Sequence, residues 1–339
     1  MMTSISHPRS SFFDLQLKDR VMIGELPYIV EGAARGGMGC VFLLWQDSKN
    51  CPTVMSALGL KVALKAILPE AADTEGRSLF KRELTVWAGL RHPNIVSLIE
   101  IVDGGDAGWV AAMHWCPGSL RDVMIQRGKL PLRDATMILA NLIDGLSYAF
   151  KQDRVHHLDL KPENILYHLD FNRLMEKHNS DDASLEKFRF MLADWGIASI
   201  KQPKLNSIAG LPPSAGAALT TFNNMGTLLY MAPERFLRGY TSSSKSDIFS
   251  LGIMYLEMLT GKRPFQSGVH PVEALLSGRY IVDATSILKQ NGIPMAVGQL
   301  ILQMIAHNPK NRPSDYSLLG HSLLRSWKKS TGIFSRSFK

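Results

Sequence analysis

The chain contains 339 residues, of which 45% are hydrophobic and 20% are charged, and its formal net charge is +8. This composition is typical of a globular protein and excludes a chain that is mostly disordered. Since a single hydrophobic core stops growing at roughly 250–300 residues, the length predicts two domains or one large unit with two lobes.

Three cysteines, Cys40, Cys51 and Cys116, are too few for a disulfide scaffold and share no metal-ligand spacing, which favours a reducing environment. The first residues lack the apolar core of a secretory signal, and no stretch reaches the roughly 18–20 apolar residues of a membrane span. Lysines and arginines are mixed with acidic residues throughout, which favours a solvated surface over a nucleic-acid interface. We therefore expect a cytoplasmic protein with no membrane span and no nucleic-acid partner, although delivery into another cell would leave the same pattern.

In chain order, the first elements are those of a strand-rich region. Residues 1–24 show no strong hydrophobic period and are predicted to form an irregular extension. From Tyr28 to Lys65, β-branched and aromatic runs alternate with glycines, which predicts strands and turns. Residues 78–90 carry apolar side chains at helical spacing and predict one amphipathic helix.

The rest of the chain changes from strands to helices. The runs 94–102 and 108–115 resemble strands, whereas helical periodicity dominates after them. Two stretches, 167–189 and 201–221, are polar or rich in Pro, Ala, Ser and Gly and are predicted to be poorly structured insertions. The final residues, 326–339, are basic and serine-rich, and we expect a disordered tail.

A glycine-rich turn and one lysine indicate a site for an anion. Gly36, Gly37 and Gly39 lie between two predicted strands, where the absence of side chains lets backbone N–H groups approach a phosphate. The same glycines also fit an ordinary hairpin turn. Lys65 is the one charge in the apolar strand VALKAIL, and a buried lysine needs an anionic partner or ligand. An edge-strand lysine with its head in water is the alternative.

The segment HHLDLKPENIL is more specific. Asp159, Lys161 and Asn164 fall within six residues beside a proline, a spacing too irregular for one helix face but suited to a loop that gathers polar groups. Here the sequence resembles the eukaryotic-type, or Hanks-type, Ser/Thr protein kinases, whose catalytic loop reads H-x-D-L-K-P-x-N. His157 begins this pattern and Asn164 ends it.

Other motifs of that family occur in its usual order between residues 28 and 322. They comprise VALK at 62–65, a helical Glu83, DWG at 194–196, APE at 232–234, Asp247 in SDIFSLG, and Arg312 in NRPS as the partner of the APE glutamate. The resemblance implies an α+β, protein-kinase-like bilobal fold with a β-rich N-lobe and a mainly helical C-lobe. It places the kinase domain at about 25–325 (lobes at about 25–116 and 117–325), after the extension 1–24 and before the tail 326–339.

The resemblance also implies how ATP and Mg²⁺ are held. Lys65, itself held by Glu83, is expected to contact the α- and β-phosphates. Asn164 and Asp194 are expected to hold Mg²⁺, because this hard cation prefers oxygen ligands.

Phosphoryl transfer is assigned to three other residues by the same resemblance. Asp159 orients the substrate hydroxyl and accepts its proton, and Lys161 neutralises charge on the γ-phosphate. Thr227 resembles the threonine that hydrogen-bonds these two side chains. Lys161 and the Gly226-Thr227 pair resemble Ser/Thr kinases and not tyrosine kinases.

The adenine is expected between the lobes, at the stretch AAMHWCPGSL. Met113 takes the gatekeeper position, and the His114 carbonyl and Cys116 N–H are the hydrogen-bond partners of the purine. Val41 and Ala63 close the apolar pocket from above. The phosphate-binding loop comprises Ala34, Gly36, Gly37 and Gly39.

Several positions depart from the family or need comment. Ala34 replaces the first glycine of a loop that otherwise resembles those of bacterial kinases, which predicts a modest loss of loop freedom. Leu158 replaces the arginine that commonly precedes the catalytic aspartate, so an activation-loop phosphate has no obvious receptor. Trp195 replaces a phenylalanine and can still pack under the regulatory helix. Cys40 and Cys116 either face the nucleotide or serve as small hydrophobes.

Three functions fit these motifs, and an active Ser/Thr protein kinase with protein substrates is favoured. Thr220 and Thr221 lie where autophosphorylation is expected in that family, although they also fit plain loop hydroxyls. A nucleotide-binding pseudokinase or scaffold is the first alternative, but it would not need the complete catalytic set. A small-molecule kinase of similar fold is the second, and the MAPE segment with Thr227 disfavours it because they build a platform for a peptide. The sequence leaves the substrate, source and oligomeric state open.

Overall fold

The computed structural model describes most of the chain in ten ranges. These are residues 4–35, 39–46, 61–67, 81, 84–105, 108–169, 185–195, 228–236, 243–265 and 269–332. They form two compact units. The first contains the described residues up to Cys116 together with Trp195, and the second contains those from Pro117 to Asp194 and from Leu228 onward. None of the helices in these ranges is long and apolar enough to span a lipid bilayer.

The first unit is built on one antiparallel sheet of seven strands in the order β1-β2-β3-β4-β5-β7-β6. The strands are β1 (Ile5–Ser6), β2 (Arg20–Ile23), β3 (Leu26–Arg35), β4 (Gly39–Gln46), β5 (Lys61–Ile67), β6 (Leu98–Asp103) and β7 (Trp109–His114). Residues 84–89 form a helix, α1, within the predicted 78–90. Trp87 anchors it, because the buried indole N–H donates a hydrogen bond of 2.7 Å to the carbonyl of Val96.

The sheet curls until its two edges meet. Ser4, next to β1, pairs in parallel with Asp103 at the end of β6. One face of the sheet therefore encloses a core, to which alternate residues of β4, β5 and β7 contribute, as the two-residue period of strands requires. Its buried members in those strands are Cys40, Phe42, Leu44, Val62, Leu64, Ala66, Val110 and Ala112.

The predicted irregular extension at 1–24 is wrong for the residues that the structure describes. Residues 4–24 supply β1, β2 and a 3₁₀ turn, Phe12–Asp14, in which the side chain of Ser11 accepts the N–H of Phe13. Phe12 is completely buried, and its ring lies edge-on to Phe42 with centroids 5.2 Å apart. The segment is ordered because its aromatic side chains fill the core of the curled sheet, which offsets the entropy of fixing its backbone.

The second unit is mainly helical and confirms, with the strand-rich first unit, the predicted α+β architecture. Its helices are α2 (Leu120–Arg127), α3 (Leu132–Asp153), α4 (Ser244–Thr260), α5 (Pro271–Ser277), α6 (Tyr280–Gln290), α7 (Met295–Met304) and α8 (Tyr316–Thr331). Three short strands, β8 (Gly118–Ser119), β9 (Ile165–Leu169) and β10 (Phe188–Leu192), form a second sheet in the order β10-β9-β8.

Helix α4 lies at the centre of this unit, since every one of its residues except Lys245 is buried. It packs against α3, α6, α7 and α8. Gly252 allows α4 to pack closely against the end of α7, because a β-carbon at this position would lie 2.6 Å from the side chain of Ile305. The catalytic-loop motif lies between α3 and β9, and Asp247 of α4 accepts hydrogen bonds from its backbone.

The predictions of a poorly structured insertion at 167–189 and of a disordered tail from 326 are also wrong for the residues that the structure describes. The segment 167–189 contributes to the paired strands β9 and β10, with Phe188 opposite Leu169. The tail from 326 continues α8 to Thr331, because Leu319, Leu323 and Ser326 form a buried helical stripe. Gly332 ends the helix in the left-handed conformation, with φ of 67°. Residues 170–184, 201–221 and 333–339 lie outside the described residues.

Candidate active site

The structure brings three predicted site residues together in the catalytic loop of the second unit. Asp159 is buried, and its Oδ2 accepts a hydrogen bond of 2.9 Å from the Asn164 amide. The same amide nitrogen donates to the Asp159 carbonyl at 2.8 Å. Lys161 Nζ lies 3.3 Å from the same Oδ2. A buried carboxylate is thereby held by one neutral donor and one cation.

The backbone before Asp159 is held by Asp247, at the start of α4. The Asp247 carboxylate accepts the N–H groups of His157 and Leu158, at 2.8 and 2.7 Å. Leu158 has a φ of 63°, a left-handed conformation that costs a residue with a β-carbon roughly 1–2 kcal/mol. Arg235 donates to the Leu158 carbonyl and holds the other side of this residue.

His157 connects the catalytic loop with the DWG motif. Its side chain is completely buried, and burial lowers the pKa of the imidazole, so the ring is neutral at pH 7. Nδ1 faces the Asp159 N–H at 3.4 Å, so Nε2 carries the proton and donates to the Ala193 carbonyl at 2.8 Å. The Ala193 N–H in turn donates to the Asn164 carbonyl at 2.9 Å. Asp194, the next residue, is therefore held beside the loop.

In the first unit, the sheet face opposite the core carries five of the residues predicted to contact the nucleotide. Val41 lies opposite Lys65, and Ala63 lies opposite Met113. Ala34 is the partner of Val41 on the other side. Because paired residues project from the same face of a sheet, all five share this face.

Two cysteines near these strands have different surroundings. Cys40 is paired with Ala66 and buried in the core, so of the two alternatives that the sequence left open, it serves as a small hydrophobe and does not face the nucleotide. Cys116 follows β7 and is half-buried, with its sulfur 3.9 Å from the His114 carbonyl. Burial raises the pKa of the Cys116 thiol to about 12, so this group is not ionised at pH 7.

A lysine between two tryptophans adjoins the predicted purine partners and was not found from the sequence. Lys61 Nζ lies 5.0 Å from the ring centre of Trp45 and 4.9 Å from that of Trp115. The backbone N–H of Trp115 also donates to the Lys61 carbonyl, at 3.4 Å. These contacts fix the segment between His114 and Cys116 against β5.

A partly buried ionic cluster next to the catalytic loop was also missed. Arg121 of α2 contacts Glu163 at 2.8 Å and Glu257 at 3.0 Å, and it donates to the Tyr230 hydroxyl at 2.5 Å. Tyr230 donates to Glu257 in turn. Burial lowers the pKa of Arg121, but the hydrogen bonds to Glu163 and Glu257 and the charge of Glu257 outweigh burial, so the pKa lies above its ordinary value. The cluster ties α2, the catalytic loop and α4 together.

The remaining predicted residues are placed as follows. Glu234 of the APE motif is paired with Arg312, as the resemblance implied. Gly39 is the first residue of β4, and Trp195 is buried. Gly36, Gly37, Glu83 and Thr227 lie outside the described residues, as do Thr220 and Thr221.

Comparison with known proteins places this geometry in a family. The model of the protein kinase domain matches residues 35–324. The chain is 29% identical over 266 residues to the serine/threonine-protein kinase cds1 of Schizosaccharomyces pombe, covering 76% of this chain and 50% of that protein. It is 28% identical over 288 residues to the serine/threonine-protein kinase PknJ of Mycobacterium tuberculosis, covering 85% of this chain and 43% of that protein.

The solved structures show the same fold. The crystal structure of Rad53 1-466 in complex with AMP-PNP superposes with a TM-score of 0.60 at 21% identity, covering 91% of this chain and 75% of that one. The chain spans half or less of the length of the two curated relatives above. The kinase motifs lie in order within residues 35–324, and their catalytic loop is folded around a buried aspartate, so the chain belongs to the protein kinase family.

Proposed function

We propose that this protein is a Ser/Thr protein kinase that transfers the γ-phosphate of ATP to serine or threonine hydroxyls of other proteins. The observation that carries the proposal is the buried Asp159 carboxylate, held within 3.3 Å of both Asn164 and Lys161. Phosphoryl transfer needs positioning and electrostatic stabilisation more than a strong base. A pre-formed cluster of this kind supplies both.

Asp159 acts on the protein substrate in this proposal. Its carboxylate orients the attacking hydroxyl and receives the proton, while Lys161, 3.3 Å away, neutralises charge that develops on the transferred group. The Asn164 amide holds the carboxylate at Oδ2, which fixes its rotation. Thr227, outside the described residues, is proposed to bond to Asp159 and Lys161 from the substrate side.

The donor set of the second unit fits Mg²⁺. Both hydrogens of the Asn164 amide are used by Asp159, through its carbonyl and its carboxylate, so the Asn164 Oδ1 is directed away from them. With the carboxylate of Asp194 it offers the hard oxygen ligands that Mg²⁺ prefers. Bound Mg²⁺ would neutralise phosphate charge at this position.

The first unit is proposed to hold the nucleotide on the sheet face opposite its core. Val41 and Ala63 would cover the purine, and Met113 would line the back of the pocket. The His114 carbonyl and the Cys116 N–H would recognise the purine edge. Ala34, Gly36, Gly37 and Gly39 would surround the phosphates, and Lys65, paired with Glu83, would bind the α- and β-phosphates.

The test is a magnesium-dependent transfer assay with radiolabelled ATP, using mixed protein, peptide and small-molecule acceptors. We expect label on serine and threonine of proteins or peptides, and at least a hundredfold loss in Asp159→Asn with nucleotide binding retained. Asp153→Asn, an exposed aspartate at the end of α3, is the matched control and should match the parent. Equal rates for Asp159→Asn and the parent, or label on small molecules alone, would overturn the proposal.

A further inference from the structure

Helix α8 contacts Asp247, the residue that holds the backbone of the catalytic loop, through one hydroxyl group. Tyr316, the first residue of α8, donates from its hydroxyl to Asp247 Oδ2 at 2.7 Å. The same Oδ2 accepts the N–H of His157 at 2.8 Å, and Oδ1 accepts the N–H of Leu158 at 2.7 Å. Tyr316 is therefore connected through one carboxylate to the two residues that precede Asp159.

The position of this hydroxyl is fixed by aromatic packing. Tyr316 is buried, and its ring lies edge-on to Phe150 of α3, with centroids 6.0 Å apart. The ring of His156 stacks on Phe150 with centroids 5.2 Å apart, and its Nδ1 is 3.3 Å from the Tyr316 hydroxyl. Asp315 caps the first turn of α8 by accepting the Leu318 N–H at 2.8 Å. The tyrosine is thus held by its ring and by the start of its helix.

The carboxylate needs this donor for a physical reason. Asp247 is completely buried, and a buried carboxylate is stable only when hydrogen bonds replace its lost hydration. The Tyr316 hydroxyl is the one side-chain donor to it in the described part of the chain, beside the two backbone N–H groups. Without the hydroxyl, Asp247 is less well held, and the left-handed conformation of Leu158 loses part of the support that maintains it.

We infer that Tyr316 is a positioning residue for phosphoryl transfer, whose hydroxyl orients Asp247 and so fixes the backbone that aims the Asp159 carboxylate. This inference rests on the proposed kinase function. Tyr316 touches neither substrate nor nucleotide in this role. It acts through Asp247 and the N–H groups of His157 and Leu158.

Tyr316→Phe tests the hydroxyl alone, because the phenyl ring preserves the contact with Phe150. Tyr280→Phe is the matched control in the same unit. Tyr280 is also completely buried and edge-on to a phenylalanine, Phe249 at 5.6 Å. Its hydroxyl donates to the carbonyl of Ile305 at 2.9 Å and not to Asp247. Both variants lose a buried hydrogen bond of a tyrosine hydroxyl. Because the bond of Tyr316 is to a carboxylate and its hydroxyl also contacts His156, the melting temperature of Tyr316→Phe should fall at least as far as that of Tyr280→Phe.

The first measurement is steady-state kinetics of the full chain. We expect Tyr316→Phe to lower kcat about five- to tenfold with the KM for ATP within about twofold of the parent. Tyr280→Phe should keep the parent kcat. A kcat for Tyr316→Phe equal to that of the parent, or equal losses of kcat in both variants, would overturn the inference.

The second measurement does not depend on activity. Amide hydrogen exchange of peptides that contain His157 and Leu158 should be faster in Tyr316→Phe than in the parent, and unchanged in Tyr280→Phe. Unchanged exchange in Tyr316→Phe overturns the inference whether or not the parent transfers phosphate. A parent without transfer activity but with the expected exchange pattern would instead overturn the proposed function and leave Tyr316 as the residue that orders this loop.

Discussion

Arg312 and Glu234 form a two-point ion pair inside the second unit. The two terminal nitrogens of Arg312 lie 2.7 and 2.8 Å from the two carboxylate oxygens of Glu234, and the arginine side chain is completely buried. Arg312 also donates to the carbonyls of Ala306, after α7, and of Lys245, in α4. The pair therefore fixes the APE turn relative to two helices.

Removing one charge of this pair is expected to be costly. Glu234→Gln leaves the buried guanidinium without its counter-charge, and such a change typically costs about 3–5 kcal/mol. The free energy of unfolding in urea measures it. Glu273→Gln, at an exposed position of α5, is the control and should change stability by less than about 0.5 kcal/mol. A similar small change for Glu234→Gln would show that the pair contributes little.

The N-terminal segment gives a second prediction. Phe12→Ala removes a completely buried ring from the core of the first unit, and changes of this kind cost about 3–5 kcal/mol. Leu17→Ala is the control, since Leu17 is 64% exposed. Hydrogen exchange of β4, which contains the neighbouring Phe42, should become faster in Phe12→Ala only. Equal exchange in both variants would mean that the segment does not stabilise the sheet.

The failure to predict this segment from its sequence has a physical cause. The strands β4, β5 and β7 were predictable because their residues alternate between a core face and an opposite face. In residues 4–24 the buried side chains come from a 3₁₀ turn, an irregular stretch and a strand of four residues. No single period connects them. Their burial follows from the curled sheet, which brings distant residues such as Phe12 and Phe42 into contact.

The residues of the candidate site also fall into those that the sequence predicted and those that it did not. Asp159, Lys161 and Asn164 were predictable because their chemistry is concentrated in six residues of one loop. Tyr316 and Arg121 were not, since each acts on this loop from a helix far away along the chain. Nothing in the local sequence around a tyrosine or an arginine shows which buried carboxylate it will meet. Such contacts are decided by helix packing.

The cap of α8 predicts a dependence of stability on pH. The Leu318 N–H and then the Ser314 hydroxyl hold the pKa of Asp315 below its ordinary value. The folded pKa is therefore lower than the unfolded pKa of about 3.9, so the stabilisation by Asp315 is complete above the latter. It is lost as the pH falls through the folded pKa.

Asp315→Ala and Asp315→Asn separate the cap from its charge. At pH 7, the alanine variant should be about 1 kcal/mol less stable than the parent, because it loses the cap. The asparagine variant keeps a cap that does not titrate, so its stability relative to the parent should improve as the pH falls below about 4. Urea unfolding at a series of pH values measures both. A constant difference between parent and asparagine variant would contradict this account.

The last prediction concerns regulation and follows from Leu158. An arginine at this position would give a phosphate on the activation segment charge-assisted hydrogen bonds, each worth roughly 1.5–3 kcal/mol. Leu158 gives none, and its carbonyl is already bonded by Arg235. Arg154, the nearest arginine before it in the chain, lies over the ring of Phe150, 4.9 Å from its centre. Phosphorylation of Thr220 or Thr221 is therefore expected to matter little for turnover.

The Thr220→Ala/Thr221→Ala double variant and the phosphatase-treated parent should both keep kcat within about threefold of the untreated parent. A drop of about tenfold, equivalent to about 1.4 kcal/mol of barrier, would reveal a phosphate receptor elsewhere, with Arg82 and Arg154 the first residues to substitute. Leu158→Arg provides the positive control. Because arginine would restore the receptor, its rate should become sensitive to phosphatase and to the double substitution, while that of the parent should not.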